Sequence, residues 1–249
     1  MKRGIKKILS SLIGVSLSGL AFAAEGGGGI TFSTLYDSGG NFSHAIALLA
    51  AIMLVLFFVK AYRIIIKEKI DSKGFYLKLK SYIKNGQITQ AIKASSNFKN
   101  TTLGFVFWNG LTSFSDAKKA DVKGMELQKV IQNGFDEAGL QKIPEIDSGL
   151  FWFDIISQVA TLLGLLGTIY GLMLSFQSMG DKTLAESEKQ DKLINGIYRA
   201  MSTTAMGLIV AIPTMFAKGW LQGKAEKIVN SIDEYSVKII NQLNNQIKE

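Results

Sequence analysis

Two stretches without a single charged side chain, residues 155–180 and 200–217, constrain this chain more than any other feature. In the first, Thr161, Gly164, Thr168, Gly171 and Ser175 recur at steps of three and four, which stacks them on one face of a helix. In the second, Ala200, Thr204, Gly207, Ala211 and Thr214 do the same. The other faces carry Leu, Ile, Met and aromatic residues. Eighteen helical residues rise roughly 27 Å, close to the ~30 Å hydrocarbon core of a bilayer, so both runs are long enough to cross one. Between helices in lipid no hydrophobic force operates, and small residues hold helices together by letting their backbones approach. Two apolar helices, each with one narrow and mildly polar seam, are therefore expected to face one another or a common centre. Gly167 and Gly171 add a GxxxG pair to the first seam, and Thr203 adds a second hydroxyl beside Thr204.

The composition agrees with a membrane protein. Of 249 residues, 47% are hydrophobic and 19% charged, with the charges gathered between the apolar blocks. One helical soluble part plus a membrane part suits this length. The chain has no Cys, which excludes disulfides and thiolate metal sites. Its net charge of +8 is read by location, as a topology signal and not as a nucleic-acid footprint. No nucleophile–base set, phosphate loop or metal cluster is present, so the sequence argues against an enzyme and calls for no cofactor and no metal.

In chain order, residues 1–23 have the form of a signal peptide: a basic start at Lys2, Arg3, Lys6 and Lys7, an apolar middle, and Ala21-Phe22-Ala23 as a cleavage site. An uncleaved first helix is the alternative, and both versions put residue 25 outside. Residues 24–41, rich in Gly, read as a periplasmic linker. Residues 42–59 form the first mature span, and Lys60, Arg63, Lys67 and Lys69 at once behind it place that end in the cytoplasm. Residues 60–150 are a helical cytoplasmic domain. In it a helix is expected to begin near Thr89, and residues 103–114 to pack beneath the membrane. A further helix at 122–139 is expected to bury Met125, Val130, Ile131 and Phe135, and Pro144 to interrupt the chain before the second span. Residues 151–177 are the second span, 178–198 a periplasmic loop, 199–217 the third span, and 218–249 a cytoplasmic helix continuing it. The expected fold is thus an all-α integral membrane protein with three long transmembrane helices.

No Asp or Glu lies inside an uncharged run; Asp154 is the candidate acid at the inner mouth of the second span. An ion relay across lipid needs a titratable group near mid-depth, and a Thr hydroxyl exchanges hydrogen bonds without titrating. The carboxylate of such a relay would then belong to a partner helix, with Thr168 and Thr204 hydrating or coordinating it. Thr hydroxyls bonded back to their own helices are the plainer reading. His44, at the edge of its span, is an interfacial or packing residue; Arg199 is an outer anchor or pairs with a loop acid; Pro213 kinks the third helix.

The blocks Gly164-Leu-Leu-Gly167-Thr168-Ile-Tyr-Gly171 and Thr204-Ala-Met-Gly207-Leu-Ile-Val-Ala211-Ile-Pro213, on the last two spans with a short loop between, resemble the MotA/TolQ/ExbB proton-channel family. Three mature spans with a large loop after the first are similar to its ExbB/TolQ branch. The resemblance covers roughly residue 41 to the C-terminus. It implies a bacterial inner-membrane subunit, the mature N-terminus periplasmic and the C-terminus cytoplasmic. It also implies a homo-pentamer around two copies of an ExbD/TolR-like single-span partner with a membrane Asp, and a TonB/TolA-like protein as a further partner. The family's two pore threonines match Thr168 and Thr204; Thr161, Gly164, Gly167, Gly171, Ser175, Thr203, Gly207, Ala211 and Pro213 are the packing residues around them. Arg199 stands where the enterobacterial branch has a Glu. A non-conducting scaffold and a sodium-driven homologue are the alternatives.

Overall fold

A computed structural model describes residues 32–248, every regular element of which is helical. The expected signal peptide at 1–23 and the linker up to residue 31 lie outside the described residues. The elements are α1 (Phe32–Ser38), α2 (Asn41–Tyr62) with a π-helical turn at Arg63–Lys67, α3 (Ser72–Lys84), α4 (Ile88–Ser96), α5 (Thr102–Lys119), α6 (Gly124–Asp147), α7 (Phe151–Gly180) and α8 (Glu186–Lys248). Three of the helices are long and apolar enough to cross a membrane. The described residues divide between two compact units, one of 32–57 and 151–219, the other of 58–150 and 220–248.

In the first unit α2, α7 and the first half of α8 pack together. Ile46 of α2 is buried with Ala160, Met206 and Val210, and Leu35 and Tyr36 of α1 pack against this cluster. The outward faces stay apolar: Leu54 and Val55 on α2, Leu166 and Phe176 on α7, and Met215 and Phe216 on α8 are each at least half exposed. An apolar surface of that extent has no place in water, and lipid is the solvent that suits it. Gly39 and Gly40 turn the chain into α2, Gly40 at φ 58°. Residues 32–38, within the stretch read as a linker, are helical.

The second unit is a helical domain with a mainly hydrophobic core. Asp71 caps α3 by accepting from the Gly74 amide at 3.2 Å, and Thr101 caps α5 through Gly104. Glu68 reaches across to take the amide and hydroxyl of Thr102 at 2.8 and 3.0 Å, which satisfies a further free donor at the start of α5. Leu103, Val106, Phe107, Leu111 and Phe114 are buried on α5 against Leu127, Ile131 and Phe135 of α6. Residues 103–114 thus belong to the core of this domain. Phe75 stacks on Phe107, and the Phe135 ring lies so close to Gly110 that a side chain there would occupy the same space.

Three expectations need correction. Met125 is 77% exposed, because at about 100° per residue it falls on a different face from the buried line of Leu127, Ile131, Phe135 and Ala138; Val130 is half-buried. Pro144 does not interrupt α6, which runs on to Asp147. The helix continues through Pro144 with the loss of that residue's ladder bond, and the break comes at Ser148 and Gly149, the latter at φ 79°. Non-helical backbone between α7 and α8 is confined to residues 181–185, not 178–198. The charges after Ala185 sit on helix, where Lys189 and Glu186 pair at 2.8 Å one turn apart.

The second unit also takes in the rest of α8, a single helix of 63 residues. Its buried line here is Leu221, Ala225, Ile232, Ile239 and Leu243. Tyr235 stacks on Tyr76 with ring centroids 4.9 Å apart, and Lys238 lies over the Tyr235 ring.

Candidate functional site

The seam between α7 and α8 follows from glycine and alanine. A Cβ on Gly164 would stand 3.1 Å from the backbone of Thr203 and Thr204, and one on Gly171 would stand 3.0 Å from Ala200 Cβ and from the Gly196 carbonyl. On the other helix, a Cβ on Gly207 would lie 2.6 Å from the Ala160 carbonyl oxygen. The two backbones therefore touch directly at three levels, and Gly164, Gly167, Gly171 and Ser175 on α7, and Thr203, Gly207 and Ala211 on α8, are all buried.

Close approach exposes each helix's carbonyls to the other's hydroxyls. Thr168 and Thr204 are hydrogen-bonded to one another across the seam. The Gly164 carbonyl accepts from Thr168 at 3.1 Å, Thr204 at 3.2 Å and Thr203 at 3.4 Å. The Ala200 carbonyl accepts from Thr203 at 2.8 Å and Thr168 at 3.3 Å. Three hydroxyls thus share two carbonyls that are already engaged in their own helix ladders. A carbonyl oxygen has two lone pairs, so the hydroxyl protons compete and must rotate among these positions. Both Thr168 and Thr204 are half-buried, at the rim of the seam, whereas Thr203 is fully buried and fills the notch left by Gly167.

The remaining predicted residues are placed as follows. Thr161 is exposed and bonds back to the Ser157 carbonyl at 3.0 Å, and Ser175 bonds back to Gly171 at 2.9 Å. Pro213 is half-buried, and α8 runs through it unbroken. Asp154 pairs with Lys218 at 2.7 Å. His44 is exposed and shares a 2.6 Å hydrogen bond with the Tyr36 hydroxyl. The reading of the sequence missed Ser157, buried and donating to the Ala211 carbonyl at 3.2 Å, although it extends the three-four spacing by one turn below Thr161. It also missed Gly196, whose absent side chain makes room for the Ser175 hydroxyl.

Above the seam lies a crevice of about 460 Å³ whose lining includes Gly171, Ser175, Asp181, Lys192, Gly196 and Arg199. The Thr183 hydroxyl and amide both donate to Asp181, at 2.6 and 2.9 Å, and hold its carboxyl below the usual range. Arg199 is half-buried and lies over Gly40, and it forms no ion pair among the described residues, neither with Asp181 nor with another loop acid.

Comparison with known proteins points the same way. The model of the MotA/TolQ/ExbB proton channel family matches residues 106–234, half of the chain and all of the seam. The chain is 32% identical over 101 residues to the biopolymer transport protein ExbB of Aquifex aeolicus, covering 40% of this chain and 65% of that protein. It is 26% identical over 136 residues to the Tol-Pal system protein TolQ of Haemophilus influenzae, covering 53% and 58%. It is 36% identical over 72 residues to the biopolymer transport protein ExbB of Helicobacter pylori, covering 29% and 48%. The chain thus spans between about half and two thirds of the length of these relatives.

Proposed function

This chain belongs to the MotA/TolQ/ExbB proton channel family, in its ExbB/TolQ-like branch, and on that premise we propose that it is the ring-forming subunit of an ion-driven motor in the inner membrane. It is a multi-pass membrane protein. The motor draws on the proton-motive force and works with an ExbD/TolR-like single-span partner to energise an outer-membrane or envelope process such as TonB-dependent import. The mature N-terminus is periplasmic and the C-terminus cytoplasmic, and the ring is a pentamer around two partner helices.

The observation that carries this reading is the meeting of Thr168 and Thr204 at the rim of a charge-free seam. A bare carboxylate at that depth is costly and tends to neutralise by taking up a proton. Hydroxyls with rotatable protons can donate to the carboxylate when it is charged and accept from the acid when it is not. They serve both states without being charged themselves. The acid comes from the partner's helix, because the chain places none of its own in the uncharged runs.

Proton flux into liposomes carrying this chain with and without the single-span partner tests the proposal. Flux is expected only with the partner, and its loss on Thr168→Val or Thr204→Val with assembly intact supports the ion route. Full conduction by this chain alone would reject the partner carboxylate. Replacing the proton gradient by a sodium gradient separates the two ions, since hydroxyl and carbonyl oxygens also suit a hard cation.

One observation favours a second reading, a non-conducting scaffold that clusters the partner helix: both hydroxyls already have acceptors within the chain, at Gly164 and Ala200. Energised function unchanged by the Val variants would select it.

A further inference from the structure

The helical domain of residues 58–150 holds a second crevice, of about 630 Å³, lined by Lys67, Lys99, Asn100, Phe105, Trp108 and Lys142. Three ammonium groups and an indole N–H are donors without acceptor capacity, and only Asn100 has a side-chain oxygen to offer. Of the acids nearby, Glu145 is shared between the lining lysine Lys142 at 2.7 Å and Arg63, outside the lining, at 3.1 Å, so it offsets only part of this charge, and Glu68 is committed to the start of α5 through Thr102. Lys67 and Lys99 enter no ion pair among the described residues. A crevice of donors carrying excess positive charge fits a ligand whose polar end is all acceptor oxygen and negative, which is the chemistry of a phosphate ester. Phe105 and Trp108, both half-buried with ring centroids 6.4 Å apart, add an apolar wall for whatever the phosphate is attached to. The Lys142 ammonium stands 5.4 Å from the Phe105 centroid and so bridges the two halves of the lining.

We propose that this crevice is a phosphate-ester site, and that an anionic phospholipid headgroup is its occupant. Lys67 follows Val59, the last residue of the first apolar run, by eight residues of continuous helix, a rise of at most about 12 Å. The headgroup layer reaches roughly 5–8 Å beyond the hydrocarbon, and a lysine stem covers the rest by snorkelling. Basic crevices at that depth are where acidic headgroups are held. The same donors would accept a soluble phosphate ester, and the experiment separates the two sources.

The full chain is stripped of lipid in detergent, and one-to-one binding of phosphatidylglycerol, phosphatidylcholine, inorganic phosphate and a nucleoside monophosphate is measured by native mass spectrometry and titration. Phosphatidylglycerol is expected to bind well above phosphatidylcholine. The double variant K67Q/K99Q, which leaves the Glu145 and Glu68 contacts intact, is expected to weaken it by about thirtyfold, two surface lysine contacts' worth. The variant K73Q/K80Q removes the same charge from α3, away from the crevice, and should leave binding within a factor of about two to three, as for contacts of no consequence. Binding of the nucleoside monophosphate with displacement of the lipid, lost in K67Q/K99Q, supports the phosphate site with a soluble occupant and removes the lipid assignment. Equal affinity for both lipids, equal losses in the two double variants, or no binding by any probe overturns the proposal.

Discussion

Adding one methyl group at Gly207 and the same methyl at Gly223 should move the stability of this protein in opposite directions, although both lie in the interior of α8. At Gly223 nothing stands within 4 Å of the new Cβ, and the change only removes glycine's backbone freedom, which is worth roughly 0.5–1 kcal/mol in favour of alanine. At Gly207 the Cβ falls 2.6 Å from the Ala160 carbonyl oxygen. Carbon and oxygen need about 0.7 Å more than that, and since both atoms are tied to helix backbone, α7 and α8 must separate by most of it. A gap of that size forfeits between a quarter and a half of each dispersion contact along the crossing, about 1 kcal/mol for some twenty atom pairs. It also stretches the Thr204-to-Gly164 hydrogen bond from 3.2 Å past its useful range, at a net cost of about 1 kcal/mol. After subtracting the helix-propensity gain, Gly207→Ala is expected to destabilise by ~1–2 kcal/mol, within the ordinary range for overpacking. Gly164→Ala, with its Cβ at 3.1 Å, should fall between the two. Reversible unfolding in mixed detergent, or the thermal midpoint of the purified protein, gives the ranking. A Gly207→Ala variant as stable as Gly223→Ala would refute the direct backbone contact on which the geometry of the seam depends.

Other consequences are independent of that one. A Cβ on Gly167 meets the Thr203 side chain at 2.6–2.9 Å, so Gly167→Ala should destabilise the wild type and cost much less in a Thr203→Ala background; a double-mutant cycle reads a coupling of about 1 kcal/mol or more. Gly110→Ala should drive the Phe135 ring out of the core of the helical domain and cost about 1–3 kcal/mol by thermal unfolding. Lys142, by hydrogen bond and charge, and the charges of Arg63 and Lys67 hold the Glu145 carboxyl below its usual range. Its contribution to stability is therefore present above the ordinary carboxylate pKa and is lost as pH falls through the depressed value. Melting curves taken down the acid limb should flatten in Glu145→Gln relative to wild type. Thr168→Val and Thr204→Val, each swapping a half-buried hydroxyl for a methyl, should change stability by about 1 kcal/mol or less while abolishing partner-dependent proton flux.

The two decisive helices and the small-residue character of their contact were legible from spacing alone, but the rotation of each helix was not. A three-four pattern identifies a face, yet neighbouring positions differ by only about 100°, and a wide seam admits either of two adjacent residues. Thr203 and Thr204 show the consequence. The stripe was drawn through Thr204, while the fully buried position is Thr203, set by the notch at Gly167 on the other helix; no property of α8 by itself records that notch. Thr161 and Thr168 likewise stand beside the buried line through Ala160, Gly164 and Gly167. Met125 failed for a different reason. At about 100° per residue it lies about 125° away from the middle of the line through Leu127, Ile131, Phe135 and Ala138, so its apolar character was counted where its spacing already put it on another face. Residues 186–198 fall in the stretch read as a loop between two spans, and a mixed-charge segment by itself does not tell loop from exposed helix; glutamate and lysine one turn apart are good helix formers, and at least one such pair is made.

The glycines and the threonines of the seam depend on one another, and this bears on why the proposed ion route lies where it does. A hydroxyl in lipid ordinarily bonds to the carbonyl one turn back on its own helix and is then spent. Here the missing side chains at Gly164 and Gly207 bring the two backbones close enough for the Gly164 carbonyl to be reached from both helices, by Thr168 from one turn above and by Thr203 and Thr204 from across. The competition for that oxygen leaves the hydroxyl protons of Thr168 and Thr204 able to exchange partners at the half-buried rim, where an incoming side chain can meet them. Filling the seam would let each threonine retreat to its own helix and leave the rim with no proton to offer. Glycine at these positions is therefore a requirement of the hydrogen-bond arrangement as well as of packing. A seam variant that stays folded should accordingly lose partner-dependent flux before it loses assembly, a separation measurable on Gly164→Ala by comparing flux with co-purification of the partner.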